Sequence, residues 1–133
     1  MFDETGFPKQ GKHSVGVARQ YCGTLGKVRN CQVAMSLDLA TEELSVPIDW
    51  EMYLPEIRTE DPERRRKARI PEETVFRMKP EIALAELDRA KGWGLGGEIA
   101  LADAVYGDSV AFRQGLIERG HAYAVGVQGT TAV

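Results

Sequence analysis

The chain is poor in the residues that make covalent or metal staples. Among its 133 residues there are two cysteines, Cys22 and Cys31, and two histidines, His13 and His121. They form neither a CxxC pair nor a Cys/His set with zinc spacing, which excludes a zinc ribbon, a zinc finger or a disulfide framework. The two thiols read as reduced cysteines of a cytosolic protein. Long apolar runs are missing as well. Nothing approaches the roughly 20 apolar residues that a membrane helix needs, and the first residues do not follow the pattern of a secretory leader. A cytoplasmic protein with no membrane partner is the expectation. A basic excess is also lacking: the net charge is -3, unlike that of a generic nucleic-acid binder. Local patches rather than net charge do the binding, however. Positive charge gathers in Arg64, Arg65, Arg66, Lys67 and Arg69, and again in Lys9, Lys12, Arg19, Lys27 and Arg29.

At this length the chain reads as one domain, residues 1–133, large enough for a real core. Both ends look abrupt. Met1-Phe2 runs straight into Asp3-Glu4-Thr5, and Val125-Gly126-Val127 reads as strand with only six residues after it. The expectation is a fragment truncated at both ends.

Residues 1–27 carry glycines and polar side chains with poor periodicity, and read as a long loop after a truncated strand. Long loops of this kind are often functional. Residues 28–40 alternate, with Cys31, Val33, Met35, Leu37 and Leu39 on one face. Residues 44–54 repeat the pattern with Leu44, Val46, Ile48, Trp50 and Met52, and the pair reads as an antiparallel hairpin. Pro47 cannot donate a ladder hydrogen bond, so the second strand belongs at a sheet edge. Residues 55–79 are charged, with helix formers after Pro62. Their Arg64–Lys67 run is either a solvated helical face or a phosphate-binding patch.

Residues 80–91 predict a helix. Pro80 suits its first turn, and Ala83, Leu84, Leu87 and Ala90 make an apolar stripe. The glycines from Gly92 to Gly97 end it. Ile99–Ala102 is a short apolar run, read as a strand buried on both faces. A helix over about 109–119 follows, with Phe112, Leu116 and Ile117 inward and Gly120 as its stop. A last apolar strand spans 122–127. Trp50 and Trp93 read as core or partial core. The order predicts an α/β fold: an antiparallel edge hairpin, then strand-helix-strand units, in a mixed sheet with right-handed crossovers.

Two acid blocks stand out. Asp103 closes the apolar run just before a helix, where ligands bind in open α/β sheets. Either it only caps a turn, or it is a functional carboxylate. Asp3 and Glu4 stand where a first strand would end. If the two strands are neighbours, the carboxylates meet at one edge, where their repulsion calls for a proton or a cation. Hard oxygen donors suit Mg²⁺ or Mn²⁺, and with a third carboxylate such a site holds two metals for in-line attack on a phosphodiester.

The stretch from Asp3 to Tyr21, DETGFPKQGKHSVGVARQY, resembles the first catalytic block of bacterial insertion-sequence transposases of the DDE superfamily. Leu101 to Asp108, LADAVYGD, resembles their second block, an aspartate followed by a Tyr-Gly turn. The Lys79-Pro-Glu-Ile-Ala-Leu helix also looks like the family, and the similarity covers nearly the whole chain. The resemblance implies a ribonuclease H-like fold. It implies metal-dependent DNA cleavage at insertion-sequence ends, then strand transfer into target DNA. Transposon-end DNA and target DNA are then the partners, with self-association in a transposition complex, and two Mg²⁺ or Mn²⁺ ions sit in the complete site. Asp3 matches the first catalytic aspartate and metal ligand and Asp103 the second, with Glu4 as the alternative to Asp3. The family's third acid, usually Glu on a helix after the last strand, has no counterpart, so the expected site is incomplete. The alternative is an inactive relic that only binds DNA or a partner transposase. A third option, another phosphotransfer domain using Asp103, would need a phosphate-binding glycine loop next to a strand.

Lys9, Lys12, His13, Arg19 and Gln20 lie in the loop after Asp3, where phosphate contacts and a merely solvated loop are the competing readings. For DNA binding the candidates are Lys12, His13, Arg19, Gln20 and Tyr106. His13 is either a general base or a structural hydrogen-bonding group. Tyr106 either packs or stacks on a base.

Overall fold

The computed structural model describes residues 1–132, apart from the side chain of Arg58. Its strands and helices are β1 (Phe2–Pro8), β2 (Ala18–Cys22), β3 (Lys27–Ala40), β4 (Ser45–Tyr53), α1 (Glu56–Thr59), α2 (Pro62–Lys67), α3 (Lys79–Gly92), β5 (Ile99–Ala102), α4 (Ala104–Gly107), α5 (Val110–Glu118) and β6 (Ala122–Val125). A 3₁₀ turn, Gly23–Leu25, joins β2 to β3. No helix among the described residues is long and apolar enough to cross a membrane.

The class is α/β, with the hairpin β3–β4 and the strand-helix-strand unit β5–α5–β6 where the hydrophobic pattern places them. The strands pair as two sheets. β3 is the hub of a four-stranded sheet, flanked by β1 and β2 and paired also with β4. β2 runs antiparallel to β3, with Ala18 opposite Cys31 and Cys22 opposite Lys27. β5 and β6 form a separate parallel pair, Ile99 opposite Ala122 and Ala102 opposite Val125.

Several expectations need correction. Residues 1–27 are not one long loop but contain β1 and β2, so Asp3 lies near the start of a strand rather than at its end. One glycine there, Gly6, serves packing within a strand. A Cβ on Gly6 would lie 2.7 Å from the Cys22 Sγ, where the small residue lets β1 approach β2. β5 is not buried on both faces, since Ile99 and Leu101 are 56% and 41% exposed. Trp50 and Trp93, read as core or partial core, are half exposed, so full burial is not realised. On α5 the inward residues are Phe112, Gly115 and Leu116, while Ile117 faces solvent.

The chain divides into two compact units. The first holds residues 1–3, 36–50 and 79–132, and the second holds residues 4–35 and 51–78. In the first, α3 buries Ile82, Ala83, Glu86, Leu87 and Ala90. α5 lies beside α3, with Gly115 so close to Leu84 that an added Cβ would meet its Cδ1 at 2.5 Å. The Arg119 guanidinium forks onto both carboxylate oxygens of Asp88, at 2.7 and 2.8 Å, and Lys91 donates to the Arg119 carbonyl at 2.9 Å. The Arg119 fork, above all, holds the Asp88 carboxyl below its usual range. α5 starts on Ser109, whose hydroxyl accepts from the Phe112 N–H at 3.1 Å. In the second unit, Cys22, Cys31 and Val33 form a buried cluster, with Tyr53 packed against it.

Gly107 marks the tightest approach in the first unit. A Cβ there would sit 1.9 Å from the Gly126 carbonyl oxygen, which is backbone and cannot swing away. Gly126 in turn donates its N–H to the Ala102 carbonyl at 2.9 Å, extending β6 beside β5. Gly107→Ala should therefore destabilise the chain by roughly 3 kcal/mol or more, because α4 and β6 must be pushed apart. Gly129→Ala, which meets nothing within 4 Å, should be far milder. Urea unfolding of the two variants checks this.

Candidate active site

Asp3 and Asp103 belong to the same unit and are both exposed. Asp103 follows β5 directly and has extended backbone geometry as the N-cap of α4. Its Oδ1 accepts from the Val105 N–H at 2.9 Å. Its carbonyl accepts from the N–H groups of Tyr106 and Gly107, at 3.2 and 2.8 Å. The capping function is therefore real, and it orients the carboxylate.

Tyr106 ties this turn to β1. Its hydroxyl donates to the Asp3 carbonyl at 3.1 Å. One residue is thus hydrogen-bonded to the backbone of both acids, through its N–H to Asp103 and through its side chain to Asp3. The ring packs with Phe2 and Phe112, at centroid distances of 6.1 and 5.6 Å, and Phe2 meets Phe112 edge-on at 5.3 Å. Phe2 is the immediate neighbour of Asp3, so alternation along β1 buries the ring and leaves the acid outside. Tyr106 is wholly buried. Of its two readings, packing is the one realised, and its ring has no face open for a base.

Each residue of the Tyr106-Gly107-Asp108 turn has a structural task. Asp108 Oδ1 accepts from the Thr131 hydroxyl at 2.5 Å and from the Gln128 N–H at 2.8 Å, holding the segment after β6. These two hydrogen bonds, the Thr131 one first, hold the Asp108 carboxyl below its usual range. Arg113 reaches back to the Gly107 carbonyl.

In the second unit, side-chain amides fasten the segment between β1 and β2. Asn30 Nδ2 donates to the carbonyls of Lys9 and Gly11, at 2.8 and 2.9 Å. Gln32 Nε2 donates to the Val15 carbonyl at 2.6 Å. Gln20 Nε2 donates to the carbonyls of Gly16 and Cys31, at 3.3 and 2.9 Å. Gln20, a candidate for DNA contact, thus spends its donors within the protein. Gly16 has φ +72°, and a Cβ there would lie 3.0 Å from the Tyr53 carbonyl oxygen, so the turn needs glycine. Lys12, His13 and Arg19 are exposed on this braced segment. Asn30 and Gln32 were not singled out from the sequence. The available signal was two amides on a strand whose other face is apolar.

Glu4 lies next to Asp3 on β1 and falls in the second unit. Among the described residues, no three His, Cys, Asp or Glu side chains converge to hold a metal ion. Asp3 and Asp103 therefore offer two carboxylates, not a closed cage.

Comparison with known proteins places these features. The family described as DDE superfamily endonuclease matches residues 1–133. A protein of Microchaete diplosiphon described as "Probable transposase for insertion sequence element IS701" is 32% identical over 109 residues, which are 82% of this chain and 26% of that protein. The chain thus spans about a quarter of that relative's length. No solved structure matches.

Two outcomes follow. Tyr106→Phe keeps the ring cluster and removes the bond to Asp3, and should cost about 1 kcal/mol; Tyr106→Ala should cost about 3–5 kcal/mol. Denaturant titration separates them. The depressed Asp108 carboxyl contributes stability that is complete above the ordinary carboxylate pKa and is lost as pH falls through its lowered folded value. The Gln128 amide resonance should therefore shift only in that acidic window, and Asp108→Asn should abolish the shift.

Proposed function

We propose, from the premise that this chain belongs to the DDE superfamily endonucleases, that it supplies the first two catalytic carboxylates of a transposase that cuts and joins DNA. The observation that carries this reading is the double attachment of Tyr106, which joins the Asp3 and Asp103 blocks through one buried side chain. A ribonuclease H-like arrangement, with β1 and β5 presenting the acids, is part of the same reading.

The donor chemistry fits the divalent metal that this family implies. Both acids are exposed carboxylates, and Mg²⁺ characteristically takes one or two carboxylates, keeps several waters and binds substrate phosphate. Asp3 and Asp103 would hold the ion, with Glu4 as the neighbouring acid; a second ion needs a third carboxylate. Bound there, a divalent ion would polarise a phosphodiester oxygen and lower the pKa of its water. The protein's own contribution is placement. The Asp103 cap and the Tyr106 hydroxyl fix two backbone positions, so little ordering remains when charge arrives. Lys12, His13 and Arg19 contact DNA phosphates in this reading. The DNA is a transposon end and then a target.

The direct test uses Mn²⁺ as a paramagnetic probe of this chain, followed by activity in the insertion-sequence relative. Mn²⁺ should broaden the Asp3 and Asp103 resonances first, and Asp3→Asn or Asp103→Asn should weaken binding at least about tenfold. The same substitutions at the aligned acids of the relative should cut metal-dependent DNA cleavage by about a thousandfold or more. Undiminished cleavage would sink the assignment. Intact DNA binding without metal binding would instead support a relic that holds DNA and does not cut it.

A further inference from the structure

The run Arg64-Arg65-Arg66-Lys67 is uniform in sequence and divided in space. Arg65 turns inward: its guanidinium donates to the carbonyls of Thr59, Pro71 and Glu72 at 2.9, 2.7 and 3.0 Å. It braces its own loop. Arg64 and Lys67 share one face of α2, three residues apart. They line an open groove of about 440 Å³ together with Lys12, His13 and Arg19. Arg66 is exposed and does not line it.

Asp61 and Glu63 also face this groove. The Asp61 carboxylate caps α2, taking the N–H groups of Glu63 and Arg64 at 3.0 and 3.2 Å, and lies 3.4 Å from the Arg64 guanidinium. Glu63 meets Lys67 at 2.9 Å. Both are surface pairs one helical turn apart, worth only about 0–1 kcal/mol, so an incoming anion displaces them at little cost. Lys12 and Arg19 are in no ion pair among the described residues. The groove thus sets four cationic side chains against two carboxylates, in a chain whose net charge is -3. The segment that carries Lys12 and His13 is braced, because Asn30, which lines the groove, holds the carbonyls on either side of Gln10, and Gln32 holds Val15.

We propose that this groove is a binding site for the DNA phosphate backbone, formed by Arg64 and Lys67 of α2 with Lys12, His13 and Arg19. It rests on the reading that the protein acts on DNA, and adds α2 as a contact element that the sequence alone did not separate from a solvated helix face. Backbone contacts of this kind set affinity and register without reading bases.

The test compares three charge reversals of equal size: Arg64→Glu, Lys67→Glu and Arg66→Glu. The probe is a short fluorescein-labelled DNA duplex of arbitrary sequence, followed by anisotropy over a range of KCl concentrations. Arg64→Glu and Lys67→Glu should each weaken binding at least about tenfold and lower the salt slope by about one, whereas Arg66→Glu should change affinity by less than about threefold. Arg64→Gln and Lys67→Gln, which avoid new repulsion within α2, should show the same order at smaller size, with unchanged circular dichroism. Equal effects from all three reversals would mean diffuse attraction and would overturn the groove while leaving the DNA-acting reading intact. A wild-type chain that fails to bind duplex would overturn both. Displacement of the duplex by inorganic phosphate, beyond that caused by KCl of matched ionic strength, would mean a free-anion site and would overturn the assignment to DNA.

Discussion

The hydroxyl of Tyr106 sits in a place where water cannot reach it, and it donates to the carbonyl of Asp3. A buried phenol without a partner costs about 1–3 kcal/mol, so the carbonyl that β1 delivers helps to offset the cost of burying the ring. Phe2 and Phe112 hold the ring in a cluster of edge-on and tilted contacts. The aromatic cluster and the acid pair are therefore one construction. Packing sets where the ring goes, the ring sets where β1 goes, and β1 carries Asp3.

The same economy runs through the Asp103–Asp108 turn. Asp103 caps, Tyr106 anchors, Gly107 leaves room for the Gly126 carbonyl, and Asp108 gathers the segment after β6. A motif that resembles a catalytic block is mostly scaffold, with a single exposed carboxylate as its product. The basic segment between β1 and β2 follows a parallel rule. Its charges are free to meet solvent because neutral amides, Asn30, Gln32 and Gln20, satisfy the backbone beneath them.

Much of this was legible from residue order. The alternation of β3 and β4, the Pro47 edge, the α3 stripe and the two acid blocks needed only local periodicity and turn chemistry. What went astray has a common cause. β1 and β2 were hidden because the glycines in and around them look like turn residues, whereas Gly6, within β1, is small to admit Cys22. Ile117 looked like core, and the two tryptophans like core or partial core, because hydrophobicity is a property of the residue, while burial is a property of what packs against it. Glu86, wholly buried in α3, is the converse case.

The sequence by itself determined the family resemblance, most of the strands and helices apart from β1 and β2, and the two acid blocks a hundred residues apart. Those depend on neighbours within a few positions, or on motif identity. Only the tertiary structure decided that Tyr106 is a tie and not a base platform. It also decided that Gln20 braces the protein, and that of four adjacent cations Arg65 turns inward while Arg64 and Lys67 line a groove. Each of those outcomes depends on a hydrogen-bond partner or a packing surface supplied from elsewhere in the chain, and no local pattern encodes its arrival.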